Sequence, residues 1–267
     1  YSSLGKEHTK FENCVKIYFT GENDVPDFNY CDYALSFHHL FLGDRHLRLP
    51  LFLLYGDSYD AIKKDKIVSS ELANRKFCNF VYSNSNLADP FRDSFFTELS
   101  KYKKIDSGGR YLNNIGGPVP DKISFIKDYK FTIAFENSSV RGYTTEKMIE
   151  PMSVNSLPIY WGNPEVNQDF NEESFIWIKD KSKMKEVIDY IVYLDENNEA
   201  YLDKLSIPWL TVEQSRKDWD TEFSDFIESI VKQSPQEARR VTDYGYVRLN
   251  RKRESSPIKR FISLFRK

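Results

Sequence analysis

Cysteine is scarce. Cys14, Cys31 and Cys78 form an odd set at irregular spacing, which excludes a disulfide framework and predicts a reducing compartment. Long apolar runs are missing too. None approaches the ~18 residues that a membrane-spanning helix needs. Internal repeats and low-complexity linkers are absent, which excludes solenoids and Gly/Ser-type spacers. An overall excess of one charge is also lacking: the net charge is −2, which gives no reason to expect nucleic acid as a partner.

What is present is an ordinary soluble composition, with 40% hydrophobic and 29% charged residues. At about 100–200 residues per domain, the 267 residues make two domains the natural expectation. The 20 Phe and 17 Tyr are a mild excess that suits a packed core or flat sugar-binding faces. Charge is unevenly placed. The segment from Gln236 to Lys267 holds ten Lys/Arg against Glu237, Asp243 and Glu254, so it carries +7 and the remainder −9.

The apolar pattern predicts strands at 15–20, 33–37 and 49–55. Residues 58–74 are charged and weakly patterned, and mark a candidate boundary. Alternating units follow: strands at 77–83, 104–106, 131–135, 158–161 and 175–178, with helices at 89–102, 145–154 and 184–194. This rhythm predicts an α/β fold whose parallel sheet binds ligand at the carboxyl ends of its strands. The predicted divisions are 1–72, 73–235 and a basic tail 236–267.

The segment FTIAFENSSVRGYTTEKMIEPMSVNSLPIYWGNP, from Phe131 to Pro164, is the most informative. A buried strand delivers Glu136 and Asn137 to its carboxyl end, and Gly142 permits a tight turn. Thr144 or Thr145 then caps a helix whose first turn holds Glu146 and Lys147. Free N–H groups and the positive end of the helix dipole suit a phosphate. Lys147 adds a cation for a diphosphate, and Glu146 could accept hydrogen bonds from ribose hydroxyls. The same spacing also fits a plain capped helix with a solvated lysine.

The ordered run FENS, RGYTTEKMIE and LPIYWGNP resembles the donor-binding signature of the α-1,3/1,4-fucosyltransferases of glycosyltransferase family 10. The similarity covers roughly residues 15–205. It implies a GT-B fold, two Rossmann-like domains facing across a cleft. The N-terminal one is expected to be incomplete, because only about fourteen residues precede the strand at 15–20 that leads into the 18–23 region. It implies inverting transfer of L-fucose from GDP-β-L-fucose to a hydroxyl of N-acetylglucosamine in a glycan, with no metal and no cofactor beyond that co-substrate. By position, Asn137, Tyr143, Glu146 and Lys147 match residues that hold GDP-fucose. Arg92, in ADPFRDSFF, matches an arginine that reaches the diphosphate, and Ser83 and Asn84 match further donor contacts. Glu22, in YFTGEN, matches the catalytic base. Two rivals stand beside this reading: a same-fold transferase using another nucleotide sugar, and an inactive nucleotide-binding fragment.

Metal motifs carry little here. Asp218-Trp219-Asp220 is a D-x-D, but it falls in a helical stretch rather than after a strand. His38, His39, His46 and Cys31 fit no common zinc spacing. In the tail, Ile258, Phe261, Ile262 and Phe265 recur at helical spacing among Lys259, Arg260, Arg266 and Lys267. Residues 256–267 therefore predict a short amphipathic helix on an anionic membrane surface. A disordered tail, or one packed on the body, fits the same composition. The expected location is cytoplasmic, peripheral to the inner membrane.

Overall fold

The computed structural model describes His8, Phe11, residues 13–83 and residues 85–241. The chain forms two compact units. Each contains its own parallel sheet, as the α/β, GT-B-type expectation requires.

The first unit comprises residues 1–49 and 218–267. Its sheet holds β1 (Ile17–Phe19), β2 (Tyr33–Ser36) and β3 (His46–Arg48), in that order and all parallel. β2 is central and fully buried, which is why it reads YALS without a charge. The chain returns to this unit through the helices Trp219–Val231 and Pro235–Ala238. Phe226 packs edge-on against Tyr33, with centroids 6.1 Å apart. The Asp32 carboxylate accepts from the backbone N–H groups of Lys16 (2.7 Å), Arg240 (2.8 Å) and Val241 (2.8 Å). One carboxylate thus ties the start of the sheet to the end of the described chain, with charge-assisted hydrogen bonds.

The second unit is residues 50–217. Its five parallel strands are β4 (Lys76–Phe80), β5 (Ile105–Ser107), β6 (Tyr129–Phe135), β7 (Leu157–Trp161) and β8 (Ile176–Trp177), in the spatial order β5-β4-β6-β7-β8. All residues of β6 and β7 are buried, as continuous apolar runs in a parallel sheet should be. The helices that concern the site are α1 (Gly56–Lys63), α2 (Phe91–Leu99), α3 (Lys122–Ile126), α4 (Glu146–Ser153), α5 (Met184–Glu196) and α6 (Asn198–Ser206).

By packing, the chain divides between Leu49 and Pro50 and again between Lys217 and Asp218. Some expectations of detail change. The charged, weakly patterned stretch 58–74 holds most of α1 and the 3-10 turn Ser70–Asn74, because Tyr59 and Ile62 supply a buried face that the charges obscured. The strand expected at 49–55 is the 3-10 turn Leu51–Leu54, following β3. The late helix Trp219–Val231 belongs to the first unit. The expected amphipathic helix at 256–267 lies outside the described residues.

Candidate functional site

The order of the second sheet creates the site. After β4 the chain moves outward to β5, then crosses back to place β6 on the other side of β4. The loops leaving β4 and β6 therefore diverge at adjacent carboxyl ends, the switch point where open α/β sheets bind ligands. Tyr82 and Ser83 follow β4, and Glu136 and Asn137 follow β6.

Glu136 is wholly buried. Its Oε1 accepts from the Thr145 N–H at 2.8 Å, and the Thr145 hydroxyl donates to Oε2 at 2.9 Å. The Lys147 ammonium lies 3.3 Å from Glu136 Oε2, 3.3 Å from Glu146 Oε1 and 3.0 Å from Thr145 Oγ1. Thr145 is the residue that caps α4, resolving the choice between neighbouring threonines. A buried carboxylate thus fixes the cap, and the cap and carboxylate fix the lysine. Burial opposes the charge of Lys147, but Glu136 and Glu146 outweigh it and hold the ammonium above the usual lysine range. Burial pushes the Glu136 carboxyl up, while Lys147 and the Thr145 donors pull it down. Glu146 is held below the usual carboxylate range: burial raises it, and Lys147 and Lys122 overcome that rise.

The loop before α4 is pinned by Asn163. Its Oδ1 accepts from the N–H groups of Gly142 (2.8 Å) and Glu165 (2.9 Å), and its Nδ2 donates to Thr144 Oγ1 at 3.1 Å. Gly142 has φ +81°, the left-handed turn expected of it. Tyr143 is buried within the same loop. The neighbouring Gly162 must be glycine for a different reason. A Cβ there would sit 2.5 Å from Glu136 Cγ.

Arg92 stands in the first turn of α2 and is buried. Its guanidinium lies 4.3 Å from the Tyr82 ring centroid and 5.6 Å from that of Tyr111. The Tyr82 hydroxyl is fixed by the Phe135 N–H, which donates to it at 2.7 Å. Burial raises the Tyr82 phenol, and the positive charges of Lys147 and Arg92 both act to lower it. Tyr82 is therefore the shared neighbour of Arg92 and Lys147. Asn137 joins the arrangement through its backbone, whose carbonyl accepts from Asp89 N–H at 2.8 Å just ahead of α2.

The structure brings Glu146, Lys147, Tyr143, Asn137, Arg92 and the exposed Ser83 into the second unit. Asn84 lies outside the described residues. Glu22 belongs to the first unit. It follows β1, its side chain is exposed, and its N–H donates to Thr20 Oγ1 at 3.1 Å. Sequence reasoning assigned no role to Tyr82, Tyr111 or Asn163. An aromatic after a strand and an asparagine after Trp-Gly are ordinary residues until the fold shows what they touch. Asp218 caps its helix by accepting from Thr221 N–H at 3.0 Å. Among the described residues no group of three His, Cys, Asp or Glu could hold a metal ion, and no helix is long and apolar enough to cross a membrane.

Residues 72–239 match the family model for the C-terminal part of glycosyltransferase family 10 (fucosyltransferase), and residues 1–55 match that for the N-terminal domain of α-(1,3)-fucosyltransferase FucT. The chain is 36% identical over 227 residues to the α-(1,3)-fucosyltransferase FucT of Helicobacter pylori, covering 73% of this chain and 47% of that one. It is 29% identical over 181 residues to the human GDP-fucose protein O-fucosyltransferase 3, covering 62% and 38%. A crystal structure of an α1,3-fucosyltransferase with GDP-fucose superposes with a TM-score of 0.73 at 31% identity, covering 84% of this chain and 76% of that one. The chain spans about half or less of the length of these curated relatives. Both the architecture and the sequence place it plainly: this chain belongs to glycosyltransferase family 10, the fucosyltransferases.

Proposed function

We propose that the protein transfers L-fucose from GDP-β-L-fucose to a hydroxyl of N-acetylglucosamine in a glycan, forming an α-1,3 link with inversion, in a Lewis-type or lipopolysaccharide O-antigen product. The observation that carries this reading is Lys147. It is a largely buried ammonium at the N-terminus of α4, held by Glu136 and Glu146. A helix N-terminus and a fixed cation present a ready place for a diphosphate. Arg92 supplies a guanidinium able to take phosphate oxygens bidentately. Glu146 has the acceptor oxygens for ribose hydroxyls. Asn137, Tyr143, Ser83 and Asn84 complete the donor set by their match to the family motif.

The leaving GDP gathers negative charge as the glycosidic bond breaks. Arg92, Lys147 and the helix end stabilise it, so the reaction needs no divalent metal. Glu22 takes the proton from the attacking sugar hydroxyl, which is a poor nucleophile while protonated. Glu136 is unsuited to that task. It is wholly buried and committed to Thr145 and Lys147.

The test is incubation with GDP-fucose and N-acetyllactosamine, followed by mass, linkage and anomeric analysis. An α-1,3-fucosylated product formed equally well in excess chelator is expected. Hydrolysis without transfer, transfer from another nucleotide sugar, or strict dependence on added manganese would each overturn part of the reading. The protein is further proposed to work in the cytoplasm, touching anionic membrane through 256–267. Removal of that segment should abolish binding to anionic vesicles and leave GDP binding intact.

A further inference from the structure

A cavity of about 300 Å³ lies in the second unit, and none of the donor residues lines it. Its walls come from β8, α5, α6 and the 3-10 turn Glu172–Ser174. The buried Phe175 forms part of its lining, beside the half-buried Trp177 and the 40%-exposed Tyr190. Tyr193, one helical turn further along α5, is 52% exposed, and its ring lies nearly parallel to that of Tyr190 (21°) at 6.5 Å. Packing does not demand these two tyrosines, because α5 is anchored by Ile188, Ile191 and Leu194. Exposed aromatic surface beside a concavity asks for a ligand.

The charges define its class. Three carboxylates and three ammonium groups line the cavity, so the lining is neutral. Two of each are paired, Lys179 with Glu172 at 2.7 Å and Lys183 with Glu186 at 2.6 Å, and the third ammonium, Lys204, donates to the Glu173 backbone carbonyl at 2.7 Å. An ionic ligand would have to compete with these partners. A neutral ligand dense in hydroxyls can bond to them as they stand, since a paired carboxylate keeps acceptor sites and a paired ammonium keeps donors. Pyranose rings have that edge chemistry and an apolar C–H face that lies against aromatic rings. The volume is at the lower end of small-ligand pockets, about 300–1,000 Å³, which suits one or two sugar rings.

We propose that this groove is a glycan-binding subsite for neutral saccharide, separate from the donor site. It does not rest on the proposed transfer reaction.

The experiment is a titration of the full chain with a neutral N-acetyllactosamine dimer and with its sialylated counterpart at millimolar concentration. Binding is followed by saturation-transfer NMR, and GDP affinity is measured on the same samples. Trp177→Ala and Tyr190→Ala should each weaken neutral-glycan binding by about tenfold. GDP affinity should be unchanged. Tyr190 is exposed, so that variant keeps the test valid even where Trp177→Ala fails to fold. The proposal is overturned by any of three results: no glycan binding by the parent chain, equal binding by parent and Tyr190→Ala, or tighter binding of the sialylated probe. Loss of GDP binding in the parent chain would instead undo the donor-site reading and leave the groove's result readable by itself.

Discussion

The Lys147 ammonium lies 3.3 Å from an oxygen of Glu136, a carboxylate with no exposure to solvent. Both groups come from the ends of regular elements: Glu136 directly follows β6, and Lys147 is the second residue of α4. The pair couples the fold to the proposed donor site, because Lys147 is held by a carboxylate that is wholly buried. Glu136→Gln should therefore lower stability by about 3 kcal/mol, the lower end for breaking a buried pair, since Lys147 keeps partial exposure and a second partner in Glu146. Urea unfolding measures it, and GDP affinity should fall as well, because the lysine loses its fixed position.

Removing the cations directly tests the donor site. Lys147→Ala and Arg92→Ala should each weaken GDP binding by roughly 1.5–3 kcal/mol, the range for hydrogen bonds to charged groups. Calorimetry on folded variants reads this. Unchanged affinity in both would remove the site from the switch point.

Gly162 tests the packing behind the pair. It has φ +155°, and a Cβ there would lie 2.5 Å from Glu136 Cγ. Gly162→Ala should destabilise the protein by about 1–3 kcal/mol through strain and displacement of that carboxylate. A melting temperature equal to the parent's would show that the contact can relax.

The first unit should be acid-sensitive. Burial lowers the His46 pKa to about 4, and His38 is lowered for the same reason. His46 shares a 2.9 Å hydrogen bond with the Ser36 hydroxyl. A histidine near 6.5 when unfolded and about 4 when folded binds its proton more readily in the unfolded chain. Its stabilising effect is present above about pH 6.5 and is lost as the pH falls toward 4, amounting to about 2–3 kcal/mol at completion once its partial exposure is allowed for. Denaturant midpoints between pH 6.5 and 5 should fall in the parent. His46→Gln should show a flatter profile, and identical slopes would count against the assignment.

Glu22 is tested by its chemistry. Glu22→Gln should leave GDP affinity nearly unchanged and reduce transfer by about 10²–10⁴-fold, the usual share of general-base catalysis. Near-normal transfer would make Glu22 a turn residue.

Much of this is legible in the chain itself. β6 and β7 declare themselves because a strand covered on both faces must be apolar throughout. Gly142, the threonine cap and Lys147 are legible for a local reason: turn and cap chemistry act over a few residues. The helix α1 is not legible within 58–74 because charges on its outer face mask the buried Tyr59 and Ile62. The return of the late helix to Tyr33 cannot be read at all, since the residues in contact are far apart in the chain.

By itself, then, the sequence determined the parallel α/β class and the capped α4, which depend on local periodicity and short-range hydrogen bonding, while the donor residues were legible only through the resemblance to the family signature. Tertiary structure alone decided that β6 lies beside β4, so that the two loops diverge and Arg92 and Lys147 share Tyr82 as a neighbour. It also decided that Glu136, which reads as one more carboxylate beside the ligand, is the buried anchor of the lysine. Burial and long-range pairing are properties of the packed chain, and residue type alone does not encode which carboxylate faces water and which faces an ammonium.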